Sequence, residues 1–296
     1  MAHLERFAPS PTGPLHLGHA FSALTAYDSA VKNGGELLLR IEDIDQSRCR
    51  PKWEAQILDD LAWLGIRWPT PALKQSERLP AYLETLKTLW HRDVLYPCKC
   101  TRKDIRAAAQ APQEGAPMLG PDGVIYPRTC FSQSSYMADL PFPADQTLRL
   151  DMEKCGMMLG EPRPHWQRYF SFVETGQGPN GETGLIEFTA NDAIETIGDI
   201  VLARRDMGTS YHLSVVLDDA FQRVTHVTRG QDLFEATKIH VILQKLLGLP
   251  TPIYHHHALI RDENGKRLAK RDDARALSKY CSEGATPEDF LRMVGL

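Results

Sequence analysis

The segment HLERFA, residues 3–8, reads as a short buried strand followed by a Pro/Gly turn. From Gly18 onward, Phe21, Leu24, Tyr27 and Val31 recur at helical spacing, and Gly34-Gly35 ends that predicted helix. ELLLRIED (36–43) is then a buried strand with acidic residues at its C-terminal end. A strand, a helix and a strand within about forty residues form a βαβ unit, which implies a parallel sheet. WEAQILDDLAWLG (53–65) and LPAYLETLKTLWHR (79–92) predict two amphipathic helices. Regular α/β signals return in ETIGDIVLARRD (195–206), SYHLSVVLDDA (210–220) and VTHVTRG (224–230). A helix is predicted over 232–247 and a strand over 253–260.

Residues 98–185 differ, with short apolar runs, many prolines and glycines, and a cluster of cysteines. They read as an insertion between two halves of a sheet. The resulting division is 1–97 and 191–296 as the two halves of one domain, with 98–190 between them. No internal repeat or low-complexity tract is visible.

Hydrophobic residues make up 42% of the chain and charged residues 24%, the composition of an ordinary globular protein. No apolar run of about 18 residues is present, which excludes a transmembrane helix. The N-terminal MAHLERFAPS lacks the basic and then apolar stretch of a secretory signal, so a cytoplasmic protein is expected. A net charge of −4 argues against a surface coated with basic residues, while leaving room for a local basic face. Six cysteines occur, at 49, 98, 100, 130, 155 and 281. Cys98 and Cys100 are too close to pair readily with each other, which favours metal binding over disulfides for that cluster.

Two motifs carry the chemistry. His16-Leu17-Gly18-His19 starts a helix after a strand, where free backbone N–H groups and the helix dipole suit a phosphate. Gly18 admits a nucleotide close to the backbone, and the two imidazoles can donate to phosphate oxygens. The plainer alternative is a pair of helix-capping histidines. The second motif is GKRLAKRD (265–272), whose plainer alternative is a solvated charged loop.

Together the two motifs resemble the HIGH and KMSKS signatures of class I aminoacyl-tRNA synthetases. The likeness narrows further, because RFAPSPTGPLHLGHA (6–20), LLRIEDID (38–45), YHLSVVLDD (211–219), VTHVTRG and GKRLAKRD all resemble the glutamyl-tRNA synthetase catalytic domain. That resemblance implies a Rossmann-type sheet, ATP with Mg2+, and a glutamate pocket. His16, Gly18, His19 and Lys270 then contact ATP, with His16, His19 and Lys270 stabilising the charge that develops at phosphorus. Arg6, Ala8 and Ser10, with Phe7 and Pro9 between them, belong to the glutamate pocket. Glu42 is expected to hold the α-ammonium, and Tyr211 and Arg229 complete the set. Guanidinium forks meet carboxylates in bidentate fashion, which suits a dicarboxylate substrate. Two departures from the pattern are Ala269, where the second signature usually has serine, and Val215, where related synthetases often carry a polar residue.

Cys98-Lys-Cys100 followed by Tyr126-x3-Cys130 offers three thiolates and an oxygen, a possible closed zinc site, with reduced core cysteines as the plain alternative. The arrangement resembles the zinc site of the glutamyl-queuosine tRNA(Asp) synthetases, shortened paralogues of glutamyl-tRNA synthetase. The resemblance implies transfer of glutamate to the queuosine base in the anticodon loop of tRNA(Asp), a structural Zn2+ on Cys98, Cys100, Tyr126 and Cys130, and no anticodon-binding domain. A truncated enzyme charging the 3′ end of tRNA(Glu) is the alternative within the class. A nucleotidyltransferase and a catalytically silent tRNA-binding protein are the rivals outside it. His255-His256-His257 reads as strand packing, since only 255 and 257 can share a face. A monomer is expected.

Overall fold

The computed structural model describes residues 2–109, 118–131, 137–159, 161–162, 168–260 and 275–295. Strand β1 (Leu4–Phe7) leads through the Pro/Gly turn into helix α1 (Leu17–Lys32) and strand β2 (Glu36–Ile41). Helix α2 (Pro51–Trp63), strand β3 (Leu73–Lys74) and helix α3 (Leu79–His91) complete the first half. The middle of the chain contributes β4 (Leu95–Cys98), α4 (Arg102–Ala109), the hairpin β5 (Leu119–Gly120) and β6 (Gly123–Val124), β7 (Thr147–Leu150) and α5 (Met152–Leu159). It also holds β8 (Glu161–Pro162), β9 (Arg168–Glu174) and β10 (Gly184–Thr189). The remainder supplies α6 (Ala190–Thr196), β11 (Val201–Ala203), α7 (Tyr211–Phe221), β12 (His226–Gly230), α8 (Phe234–Leu247), β13 (Ile253–His257), α9 (Leu277–Ser282) and α10 (Pro287–Val294).

The expected βαβ unit is present: β1 pairs with β2 in parallel, and β2 with β3. In the second half β12 pairs in parallel with β13, and β13 in turn with β9, which carries β10 and β8 antiparallel. Strand β1 borders β12, joining the two halves. The Thr225 amide donates to the Leu4 carbonyl at 2.9 Å, and the Thr228 hydroxyl donates to Glu5 at 3.1 Å.

A separate three-stranded sheet, ordered β11-β7-β4, is antiparallel, so the strand within 195–206 lies outside the parallel sheet. A register shift lies between Val201 and Ala203 in that pairing.

The helix predicted from Phe21, Leu24, Tyr27 and Val31 is present as α1, and these four side chains are buried to different degrees. Val31 is 56% exposed, and Phe21 and Tyr27 are only partly covered; the buried residues are Ala20, Ala23, Leu24, Ala26 and Ala30. The helix packs directly on β1 and β12, and small side chains let its backbone approach the sheet.

Phe7, Leu37, Leu39, Ile41, Ile57 and Leu61 form the core of the first half, and Leu277, Phe290 and Val294 from the last two helices pack into it. The Leu277 amide donates to the Leu15 carbonyl at 2.8 Å, and Ala276 bridges to His16. A second core joins α3, β7, β9, α7 and α8. Among the described residues, no helix is long and apolar enough to cross a membrane.

Candidate active site

A cavity of ≈ 380 Å³ opens where β1, β2 and β12 end and where α1 and α7 begin. Strand ends and helix N-termini converge there, the usual ligand position in an open parallel sheet. Arg6, Phe7, Ala8, Glu42, Tyr211 and Arg229 line it, as do His16, Gly18 and His19. The two motif groups, far apart in sequence, thus share one space. Pro9 and Ser10 do not line it. Their carbonyls accept from the Glu42 and Thr12 amides, so this part of the segment shapes the turn behind the pocket. Lys270 and Ala269 lie outside the described residues. The chain on either side of them does reach this place, because Leu259 and Ile260 line the cavity and Ala276 bridges to His16.

His16 and His19 cap α1, and the cap defines their chemistry. The Gly18 amide donates to His16 Nδ1 at 3.1 Å, and the His16 amide donates to His19 Nδ1 at 3.2 Å. An imidazole that accepts at Nδ1 carries its proton on Nε2 when neutral. The rings stack at 3.7 Å between centroids. Capping therefore leaves each ring a donor at Nε2, and the capping and phosphate readings are compatible.

Behind Arg6 is a buried ionic cluster. Asp219 Oδ1 accepts from Arg40 Nη1 at 2.6 Å and from Arg6 Nε at 3.3 Å, while Arg40 Nη2 donates to Glu42 Oε1 at 3.2 Å. Burial alone would raise the Asp219 carboxyl, but Arg40 and Arg6 carry it below its ordinary range. Burial wins at Glu42, whose carboxyl is raised even though Arg40 and Arg6 oppose the shift. Burial also raises the Tyr211 phenol, reinforced by the Glu42 charge, so a neutral hydroxyl faces the pocket.

Arg229, 5% exposed, is held differently. Its Nε donates to His256 Nε2 at 3.1 Å, Nη2 to Thr237 Oγ1 at 2.5 Å, and Nη1 to His240 Nδ1 at 3.2 Å. Burial, then the Arg229 charge, holds His240 well below the ordinary histidine range, so it accepts as a neutral ring. Among the described residues, no carboxylate comes within ion-pair reach of Arg229. The cavity therefore contains a buried cation whose protein partners are all neutral, a strong electrostatic demand for an anion.

Sequence reasoning did not single out Arg40, Asp219, Thr237 or His240, and it read His256 as strand packing. Part of the signal was present: Asp218-Asp219 interrupts an apolar helical run, and Arg40 interrupts an apolar strand, as buried charges with partners do.

The three adjacent histidines take separate partners: His255 meets Thr175, His256 meets Glu174, and His257 meets Ser22. They form no metal group among the described residues. Cys98, Cys100 and Cys130 do gather, with sulfurs within 4.8 Å of one another. The Tyr126 hydroxyl is 3.4 Å from Cys98 Sγ and 3.5 Å from Cys100 Sγ, and it accepts from the Cys130 amide at 2.9 Å. A tetrahedral zinc with Zn–S bonds of about 2.3 Å separates its sulfurs by roughly 3.8 Å, so the group fits a tetrahedral ion. Burial raises the Cys130 thiol, but bonds from Tyr126 and the Lys99 backbone bring it down to about 7, poised for the thiolate a metal requires. The cluster borders a larger cavity of ≈ 1090 Å³ lined in part by Arg102, Arg149, Arg204 and Arg205.

Residues 4–121 and 180–296 match the family of class I tRNA synthetases (E and Q), catalytic domain. A glutamyl-Q tRNA(Asp) synthetase from Rhodobacter capsulatus is 58% identical, over 99% of this chain and 100% of its own. Its counterpart from Rhodopirellula baltica is 38% identical over 97% of this chain and 82% of its own. Among solved structures, a glutamate tRNA ligase from Elizabethkingia meningosepticum, in complex with its amino acid, superposes on the whole chain with a TM-score of 0.73 at 26% identity. This chain spans 61% of that ligase's length.

Proposed function

This chain belongs to the class I tRNA synthetases of the E and Q type, and from that premise we propose that it activates L-glutamate with ATP and transfers it to the queuosine base in the anticodon loop of tRNA(Asp). The observation that carries the substrate is the buried, neutrally partnered Arg229 in one cavity with Arg6, Glu42 and Tyr211. A dicarboxylic amino acid supplies the anion that Arg229 lacks, and its ammonium suits Glu42. The relative from Rhodobacter capsulatus, matched along its entire length, supports tRNA(Asp) as the acceptor.

The α-carboxylate of glutamate is ionised at neutral pH and needs no general base. One of its oxygens bonds to the α-phosphorus of ATP while the bond to pyrophosphate breaks, leaving glutamyl-adenylate. The residues act by positioning and charge stabilisation. His16 and His19 offer Nε2–H donors at the α1 N-terminus, where Gly18 leaves room for the nucleotide. Lys270 is assigned to the leaving pyrophosphate by its place in GKRLAKRD, and the chain flanking that segment supports this. Mg2+ accompanies the triphosphate. The adenylate then gives its acyl group to the acceptor and releases AMP. Segments 1–97 and 191–296 supply the cavity, and 98–190 is read as the insertion between them. Cys98, Cys100, Cys130 and Tyr126 would hold a structural Zn2+, tying the chain around the β4 end to the residues after β6.

The deciding experiment offers labelled glutamate, with ATP, to tRNA(Asp) with and without queuosine and to tRNA(Glu). Label is expected on queuosine-bearing tRNA(Asp) alone. Label on the 3′ end of tRNA(Glu) would overturn the acceptor assignment, and absence of glutamate-dependent pyrophosphate exchange would overturn the pocket.

A further inference from the structure

Glu174 takes no part in the reaction outlined above, yet it is 1% exposed at the end of β9 and accepts from three donors. Its Oε1 receives the Gly176 amide at 2.7 Å and the His256 amide at 2.8 Å, and its Oε2 receives His256 Nδ1 at 2.5 Å. The chain after it runs tightly along β13. A Cβ at Gly176 would come 2.2 Å from the His256 carbonyl oxygen, so only glycine fits there. All three contacts require an acceptor. The carboxyl accordingly lies below its usual range, because bonds from His256 outweigh the burial that would raise it.

The far side of the same imidazole meets Arg229. Donation from Nδ1 to Glu174 leaves Nε2 bare, and a bare Nε2 is what the Arg229 Nε–H needs. Burial, partly offset by the Glu174 bond, holds His256 below the ordinary histidine range, which keeps the ring neutral. Thr237 Oγ1, 3.2 Å from the same nitrogen, accepts from Arg229 Nη2. The guanidinium is gripped from behind, and its remaining Nη hydrogens are left for the cavity it lines.

We propose that Glu174 and His256 are positioning residues for substrate recognition. Glu174 fixes the His256 tautomer, and that tautomer aims the Arg229 fork at the carboxylate of the bound amino acid. The proposal rests on the reading that Arg229 meets glutamate. It predicts a specific consequence for Glu174→Gln. The two backbone amides hold the new amide oxygen where Oε1 was, so the amide NH2 must face His256 Nδ1. The ring proton then moves to Nε2 and opposes the Arg229 N–H.

The test uses the full chain with ¹⁵N-labelled histidine, His256 being identified by its loss in His256→Gln. In Glu174→Gln the His256 proton is expected to shift from Nδ1 to Nε2. The glutamate KM in pyrophosphate exchange should rise about tenfold or more while the ATP KM stays within about twofold. If that variant does not fold, His256→Phe should raise the glutamate KM, and His256→Gln, whose amide oxygen can replace Nε2, should recover part of the loss. The proposal is overturned by a folded Glu174→Gln whose proton remains on Nδ1 or whose glutamate KM is unchanged, or by a His256→Phe protein with wild-type glutamate KM. Failure of the wild type to use glutamate would instead overturn the assigned activity. The tautomer measurement would still decide the link between Glu174 and Arg229.

Discussion

Arg6 and Arg229 line one cavity from opposite halves of the chain, and the protein treats their charges in opposite ways. Arg6 is compensated internally, since it shares Asp219 with Arg40, which also meets Glu42, in a buried cluster of two cations and two carboxylates. Among the described residues, Arg229 meets only hydroxyl and imidazole acceptors, with its guanidinium 5.2 Å from the Tyr254 ring centroid. A buried guanidinium without a counter-ion costs free energy in the empty protein and recovers it when an anion arrives. The first wall is thus compensated within the protein, whereas under the proposed function the second finds its counter-charge in the substrate.

Removing the carboxylate that serves the first wall should have the largest effect. Asp219→Asn leaves Arg6 and Arg40 buried with one counter-ion fewer, and a loss of about 3–5 kcal/mol is expected in urea unfolding. A loss below about 1 kcal/mol would show that the cluster does not stabilise this wall. The second wall should respond in the reverse sense. Arg229→Ala should raise the glutamate KM about 100-fold with the ATP KM nearly unchanged, and unfolding should show equal or greater stability, because an uncompensated cation has gone. Lower stability with unchanged glutamate use would reverse the roles of the two arginines.

Acidification separates the carboxylates of the first wall. Glu42, raised by burial, protonates above the ordinary carboxylate range, so the glutamate KM should begin to climb at a pH where Asp219 is still ionised. Its raised value means that its protonation does not destabilise the fold. The lowered Asp219 does the opposite: its contribution is present above the unfolded-state value of about 3.9 and is lost as pH falls through its folded value. A KM profile measured beside unfolding curves should show affinity failing before stability. Glu42→Gln should flatten the first change and leave the acid limb of the second in place.

The smallest effect on the pocket should follow removal of metal. Purified protein is expected to hold about one zinc per chain by elemental analysis, and Cys100→Ser should lose it and melt several degrees lower. Glutamate-dependent pyrophosphate exchange without tRNA should remain within about twofold, since neither arginine touches the cysteine cluster. A large rise in glutamate KM would tie the metal to the arginine walls.

Part of each wall was visible before folding was considered. The resemblance to the glutamyl-tRNA synthetase catalytic domain points to Arg229 and Glu42, and His16, Gly18 and His19 punctuate a strand–turn–helix. The partners of those charges were not visible. Arg40 interrupts an apolar strand without naming its partner, and it is 0% exposed because α7 brings Asp219 over it from 179 residues away. Glu174 belongs to a stretch that reads as irregular, and only the pairing of β9 with β13 places it against His256. Which side chains of α1 become fully buried likewise depends on how closely its neighbours approach.

The sequence by itself determined the α/β alternation, the histidine pair at the start of α1 and the charged residues at the strand ends, because these depend on local periodicity and turn chemistry. Tertiary structure decided which charges are neutralised and which wait for a ligand. Contacts such as Arg6 to Asp219, 213 residues apart, and Arg229 to neutral imidazoles exist only once the sheet order brings the strand ends together. Compensation of a buried charge is a property of its neighbours in space, and no single segment of the chain contains it.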